Sequence, residues 1–370
     1  MTADVYFYNR KTDNRQDSLV NKLSRLFKQA GFAAQIEAED LVGIKMHFGE
    51  RGNNGFIRPM FARRIVEEIK AKQGKPFLTD ANTLYSGERD NSIDHLNTAI
   101  AHGFGYSTVQ APLVIADGLQ GKNFDEIEVD NCKHFDTVKI GSEAVRADGL
   151  ISLAHFKGHE LSGFGGAIKN VGMGLGSRSG KQMMHAAVEP EVTAEECIAC
   201  GKCAQWCAHD AITVNEIAVI DPDQCVGCGE CIVTCPTEAI SPQFEDAPVA
   251  MQERMAEFTL GAIKNKRDKV GYINFVMNVS PDCDCAPWSD RPIVSDVGIL
   301  ASQDPVALDQ ACYDLVNQKQ GNKNSALQKN FASGEDKFAG VHPDIDPQAQ
   351  LKHGAEIGLG TREYNLVELD

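Results

Sequence analysis

The chain has 370 residues, 42% of them hydrophobic, and sets 36 Lys and Arg against 52 Asp and Glu for a formal net charge of −16. That length exceeds a lone small metal-binding module and provides for two or three domains with their own cores, and the ordinary apolar fraction excludes a disordered chain. The acidic balance argues against a nucleic-acid backbone or an anionic membrane as main partner, and fits either plain solubility or docking of a basic redox partner protein.

In chain order, residues 4–9 (DVYFYN) read as a strand, and Ser18 to Ala30 as a helix with Leu19, Leu23, Leu26 and Phe27 on one face, stopped by Gly31. Strands follow at 41–48 and 76–80, with a helix opened by Pro59 between them; a helix from Asn91 to His102 then precedes a strand at 112–118. Residues 148–156 (DGLISLAHF) read as a buried strand, followed by a Gly-rich stretch to Gly180. Acidic linkers are expected at 188–196 and 241–250, on either side of a Cys-rich segment. Pattern returns with a helix over 247–265, a strand over 272–279 and a helix over 305–319, and the last fifty residues read as an irregular tail wrapped on the core. This rhythm predicts an α/β core with a largely parallel sheet, interrupted by a small α+β module: residues 1–187 and 246–370 form the core and 188–245 the insert. No apolar run approaches the roughly 20 residues of a membrane-spanning helix. The N-terminus is polar by Asn9 with no signal-peptide stretch, so the cytoplasm is the expected location.

Twelve cysteines in a reducing compartment suggest metal ligation rather than disulfides. Residues 197–212 (CIACGKCAQWCAHDAI) repeat as 225–240 (CVGCGECIVTCPTEAI), and each copy carries C-x2-C-x2-C-x3-C. Two intervening residues let three thiolates reach three corners of an iron–sulfur cubane from one loop, and the fourth Cys ligates the other cluster, as in bacterial ferredoxins. Two [4Fe-4S] clusters are therefore expected, one on Cys197, Cys200, Cys203 and Cys235, the other on Cys225, Cys228, Cys231 and Cys207. A zinc site would need a longer gap between cysteine pairs. Gly201, Gly227 and Gly229 leave the loops unobstructed, and Ala208, where the second copy has Pro236, should loosen one turn.

The Gly-rich stretch (155–181) concentrates Lys157, Lys169, Arg178 and Lys181 against a single acid, Glu160. Glycines at Gly165 and Gly166 let backbone approach a ligand, and the cations favour an anionic substrate or cofactor. Gly163-x-Gly165 is not continued as a dinucleotide fingerprint, and Gly176 to Lys181 is one residue short of a P-loop. His155, His159 and His185 are either pocket groups or satisfied structural histidines. Cys283 and Cys285 flank Asp284 and could face one side of an extended segment, as metal ligands, redox thiols, part of a pocket, or merely buried small residues; a disulfide between them would be strained.

Residues 44–59 (IKMHFGERGNNGFIRP), 79–89 (TDANTLYSGER), 154–181 (AHFKGHELSGFGGAIKNVGMGLGSRSGK), 283–285 (CDC) and 297–311 (VGILASQDPVALDQA) resemble the domain-of-unknown-function family 362. That resemblance implies an α/β fold and an association with iron–sulfur modules, with no assigned reaction. More distantly, SGFGGAIK is similar to the turn of nickel-pincer lactate racemases whose lysine carries the cofactor. It sets Lys169 at that lysine, with His159 ten residues before and His185 sixteen after. The following NVGMGLG lacks the racemase proline, and the third, upstream histidine has no assigned equivalent.

The expected function is an iron–sulfur oxidoreductase of anaerobic metabolism. Its clusters would exchange electrons with a pocket in which His155, Lys157, His159 and Lys169 act on the substrate, and Gly165, Gly166, Arg178, Lys181, His185, Cys283 and Cys285 hold an anionic molecule or further metal. The alternatives are an electron carrier or adaptor without its own substrate, and a nickel-pincer-like non-redox enzyme.

Overall fold

The computed structural model describes residues 2–85, 87–185, 190–207, 210–225, 231, 234–237, 239–242 and 247–369. Ala208, Gly227, Cys228 and Gly229 lie outside the described residues.

The first half alternates as expected: β1 (Ala3–Asn9), a helix Leu19–Gln29, β2 (Leu41–Met46), a helix Pro59–Ala71, β3 (Lys75–Asp80), a helix Ser92–Ala99 and β4 (Leu113–Ile115). A hairpin of β5 (Phe124–Glu128) and β6 (Thr137–Gly141) precedes β7 (Gly149–His155), which is buried along its whole length. The Gly-rich stretch is ordered rather than loop-like. It forms a second hairpin, β8 (Lys157–His159) with β9 (Gly163–Gly165), then helices Ala167–Leu175 and Arg178–His185. The glycines serve close packing. A Cβ on Gly172 would stand 2.2 Å from the Met255 carbonyl oxygen, where the Ala167–Leu175 helix crosses the helix Ala247–Ile263. Gly172→Ala is therefore expected to lower stability by about 1–3 kcal/mol in chemical denaturation, because backbone cannot step aside as a flexible side chain can.

The Cys-rich segment leaves and rejoins this body at one place: β10 (Pro190–Val192) pairs antiparallel with β13 (Ile240–Pro242), on either side of a small hairpin of β11 (Ile212–Val214) and β12 (Ala218–Ile220). The two acidic stretches are thus in part a strand ladder rather than loose linkers, because Val192 and Ile240 pack with Ile212 and the cysteines in a core of their own. After Ala247–Ile263 come β14 (Val270–Val276), β15 (Gly298–Ser302), a helix Pro305–Asn317 and β16 (Tyr364–Glu368). The C-terminal fifty residues are not an irregular tail. They hold helices Lys337–Val341 and Ala349–Glu356 and the edge strand β16, whose thin apolar signal reflects its half-exposed position.

The main sheet has the order β16-β1-β15-β14-β7-β2-β3-β4. Only β15 runs antiparallel to its neighbours, so the sheet is largely parallel, as the sequence predicts. Helices Leu19–Gln29 and Pro59–Ala71 cover one face through Leu23, Phe27, Phe61 and Ile65. Ala167–Leu175, Ala247–Ile263 and Pro305–Asn317 cover the other through Ile168, Met255, Phe258 and Leu308. Both faces being covered explains the continuous apolar runs of β7 and β14. Among the described residues no helix is long and apolar enough to cross a membrane.

Candidate functional site

A cavity with about 870 Å³ of open space lies at the carboxyl ends of β2, β3 and β7, where open α/β sheets place their ligands. Lys45 and His47 come from the end of β2, Asp80 from the end of β3, and Lys157 and His159 from β8 just beyond β7. The helix Ala167–Leu175 adds Lys169 and Asn170, Arg178–His185 adds Lys181 and His185, and the loop after β14 adds Cys283 and Cys285.

One wall is a buried ionic network. Lys45 Nζ lies 3.0 Å from Asp80 Oδ1, and Arg89 reaches Asp80 at 3.4 Å and Glu50 at 3.2 Å. Burial alone would raise the Asp80 carboxyl, but Lys45 and the His95 ring, whose Nε2 stands 3.6 Å away, outweigh it and hold Asp80 well below the usual carboxylate range. Arg89 also donates to the Tyr85 hydroxyl at 2.6 Å.

The opposite wall is built on a turn. Ala286 N–H donates to the Cys283 carbonyl at 3.0 Å, so Cys283 to Cys285 is turned rather than extended, as the sequence pattern had suggested. Asp284 faces away from the cavity onto His155 Nδ1, 3.0 Å from each carboxylate oxygen, with Lys157 Nζ at 3.5 Å. His155 Nε2 donates to the carbonyls of Met277 and Asn278 at 3.0 and 3.1 Å. Both ring nitrogens of His155 are thus engaged, and it stands behind the cavity, fixing the turn, rather than lining it. Against burial, His155 and Lys157 hold the Asp284 carboxyl well below its ordinary value.

With Asp284 turned inward, both sulfurs face the cavity. Lys169 Nζ is 3.3 Å from Cys283 Sγ. The Cys285 hydrogen bond, followed by Lys169, His159 and Lys157 acting against burial, holds Cys283 well below an ordinary thiol, while the same hydrogen bond and burial push Cys285 well above. Of the two, Cys283 is the group whose thiolate Lys169 favours, and Cys285 is the weaker acid. Burial lowers the Lys169 ammonium, but the sulfurs outweigh it and raise the net value, so it stays charged. Burial, aided by His159 and Lys169, brings His185 down to about 4, and it is neutral at pH 7. Burial likewise pushes Lys181 down to about 8. Among the described residues, His159, Cys283 and Cys285 bring one nitrogen and two sulfurs within 4.8 Å of one another, a spacing that resembles a soft-metal site.

Gly165, Gly166 and Arg178 are not on the cavity wall. A Cβ on Gly166 would stand 2.2 Å from Asp309 Oδ1, and Asp309 caps the following helix by accepting from Ala167 N and Ile168 N at 2.7 and 3.0 Å. Gly165 lies under the Lys169 stem. Arg178 lines a groove with Lys122, Lys139, Lys202 and Trp206, where the Cys-rich segment meets the body and Lys122 Nζ sits 3.5 Å above the Trp206 ring centre.

In that segment Cys197, Cys200, Cys203 and Cys235 line one small cavity. Ala199 and Gly201 take φ of 50° and 72°, which bends the loop around it. An added Cβ on Gly201 would meet nothing, so this glycine answers to the backbone angle rather than to space. Ala218 N–H donates to Cys197 Sγ at 3.4 Å and Ala211 N–H to Cys207 Sγ at 3.3 Å. Cys231 is buried and Cys225 half-buried.

The model of the domain of unknown function DUF362 matches residues 42–314. The chain belongs to the DUF362 family. No curated protein sequence is detectably similar to it. Among solved structures, the lactate racemase apoprotein from Thermoanaerobacterium thermosaccharolyticum is 13% identical with a TM-score of 0.42, covering 80% of this chain and 56% of its own. This chain thus spans little more than half of that protein's length. A structural-genomics protein from Thermotoga maritima is 9% identical with a TM-score of 0.44, covering 98% of this chain and 89% of its own.

Within this DUF362 chain, the cavity gathers Lys157, His159, Lys169, Lys181, His185, Cys283 and Cys285, as the motif reading expects of one pocket. Residue reasoning missed Lys45, His47, Asp80, Tyr85 and Arg89. Their signal was present: Lys45 and Asp80 are charges inside or ending apolar strand runs, and all five fall in the stretches 44–59 and 79–89 that carry the family resemblance.

Proposed function

We propose that this chain is an iron–sulfur oxidoreductase whose Cys-rich insert, residues 188–245, holds two [4Fe-4S] clusters and whose α/β cavity holds a small anionic molecule that is oxidised or reduced. The observation that carries the reading is the convergence of Cys197, Cys200, Cys203 and Cys235 on one cavity, the fourth arriving from the other repeat. Cys225, Cys231 and Cys207, with Cys228 outside the described residues, would hold the second cluster. Bound there, such clusters supply one-electron transfer, with potentials tuned by hydrogen bonds like those on Cys197 and Cys207.

The rest falls to the chain's own side chains. Lys157, Lys169 and Lys181 offer positive charge to an anion, and Asp284 and His155 keep the Cys283–Cys285 turn in place. The helix Arg178–His185 starts at the groove beneath Trp206 and ends in the cavity, which supports a short path between insert and pocket. Because Lys181 titrates near pH 8, binding of an anion such as oxalate is expected to weaken as pH rises through about 8 and the ammonium is lost. Calorimetry across that range should show the limb, and Lys181→Met should remove it.

A second reading, a nickel-pincer-type enzyme, is favoured by one observation: Lys169, His159 and His185 line the same cavity. Elemental analysis and intact mass of anaerobically purified protein separate the two. About eight iron atoms per chain and an unmodified Lys169 support the first reading. Nickel with an adduct on Lys169 replaces it with the second.

A further inference from the structure

The turn at Cys283–Cys285 puts two sulfurs and one cation in a space that a single nucleophile would not need. Cys285 N–H points back at Cys283 Sγ, 3.4 Å away, and the two sulfurs lie within 4.8 Å of each other. Asp284 is held out of their way by His155 and Lys157. We propose that Cys283 and Cys285 are a two-electron dithiol–disulfide couple lining the cavity, and that the molecule it acts on is a small disulfide carrying negative charge.

The atoms balance without an outside oxidant. The Cys283 thiolate attacks one sulfur of the substrate R–S–S–R, forming Cys283–S–S–R and releasing RS⁻. Cys285 gives its proton to that thiolate and attacks the Cys283 sulfur, forming the Cys283–Cys285 disulfide and releasing the second RS⁻. The sum is one disulfide exchanged for another, with one thiol and one thiolate freed. Return to the dithiol takes two electrons and one proton from a low-potential one-electron donor, a step that rests on the iron–sulfur reading above. A disulfide spanning a single residue is strained, which makes it easily reduced and suits a working couple rather than a structural bond.

The same atoms resemble a soft-metal site, but the histidine is turned the wrong way for one. His159 Nδ1 accepts from the amides of Leu161 and Ser162 at 3.1 and 3.2 Å. The neutral ring therefore carries its hydrogen on Nε2 and has no free lone pair for a metal, whereas ligating histidines donate from the second nitrogen. Lys169 at 3.3 Å from Cys283 serves a thiolate directly.

The test uses the full-length holoprotein under anaerobic conditions. One sample is equilibrated with glutathione disulfide and one with reduced glutathione; both are acid-quenched, alkylated and cut with chymotrypsin. The fragment between Phe275 and Trp288 contains Cys283 and Cys285 and no other cysteine. The expected result is a fragment two hydrogens lighter and unalkylated in the first sample, and doubly alkylated in the second. Cys285→Ser should instead keep a glutathione adduct on Cys283, and Cys283→Ser, which lacks the attacking thiolate, should stay unmodified. Double alkylation of the wild type in both samples, a lasting glutathione adduct on it, or a stoichiometric metal shielding both thiols overturns the proposal. Failure of the iron–sulfur reading would appear separately, as absent iron, and leaves this fragment mass interpretable.

Discussion

Cys235→Ser is expected to leave the chain folded with half its iron, about four atoms per chain instead of about eight. The expectation follows from where Cys235 sits. It belongs to the second repeat, yet its side chain lines the cavity of Cys197, Cys200 and Cys203. Loss of the thiolate should therefore remove a cluster held by the first repeat and spare one held by its own. Colorimetric iron and sulfide analysis reads the result, and Cys197→Ser should remove the same cluster. Cys312→Ser is the control: Cys312 is wholly buried on the helix Pro305–Asn317, 3.4 Å from the Asn274 amide nitrogen, and its loss should leave iron unchanged. If Cys235→Ser kept full iron while Cys312→Ser lost it, the crossed ligand pattern would be wrong.

Asp80→Ala should be the most damaging single change in the cavity wall, costing about 3–5 kcal/mol in urea denaturation at pH 7. Lys45 is 1% exposed, and without Asp80 its ammonium keeps only the Asn170 side-chain oxygen and the Met46 carbonyl. Arg89 retains Glu50. The cost comes from burying an uncompensated charge, so it has a definite pH signature. Burial already lowers the Lys45 value below that of an exposed lysine, and Asp80 opposes the shift. Removing Asp80 lowers it further. The penalty is then fully present below the folded-state value and is relieved as pH rises from there toward the unfolded value, about 10.4. The variant should recover stability relative to wild type over that window. A double change, Lys45→Met with Asp80→Leu, should cost less than Asp80→Ala alone, because no charge is left stranded.

The parallel core was legible because its strands are buried on both faces and its helices carry their apolar residues on one. Leu19 to Phe27 announces a helix without help from the fold. β15 was not legible: GILAS is five residues with no alternation, and its antiparallel course is set by its partners β1 and β14. β16 was hidden for the opposite reason, since an edge strand with little burial has little to pattern. At the site, spacing found Lys169, His159 and His185 because they sit on one continuous stretch. It could not find Asp80 or Arg89, which join the same cavity only when β3 comes to lie beside β2. His155 shows the limit from the other side. Proximity in sequence to His159 suggested a catalytic partner, but as the last residue of β7 it turns its ring onto Asp284 and two carbonyls. Arg178 is likewise near Lys181 in sequence and on another surface in space.

The central claim, that the Cys-rich insert holds two [4Fe-4S] clusters, is met most directly by EPR of anaerobically purified, dithionite-reduced protein with iron counted on the same sample. The expected result is about eight iron atoms per chain and the broadened signals of two nearby reduced clusters, both lost when Cys197 and Cys225 are replaced together by Ser. A protein that carries zinc in place of iron, or iron with no reducible cluster signal, would contradict it.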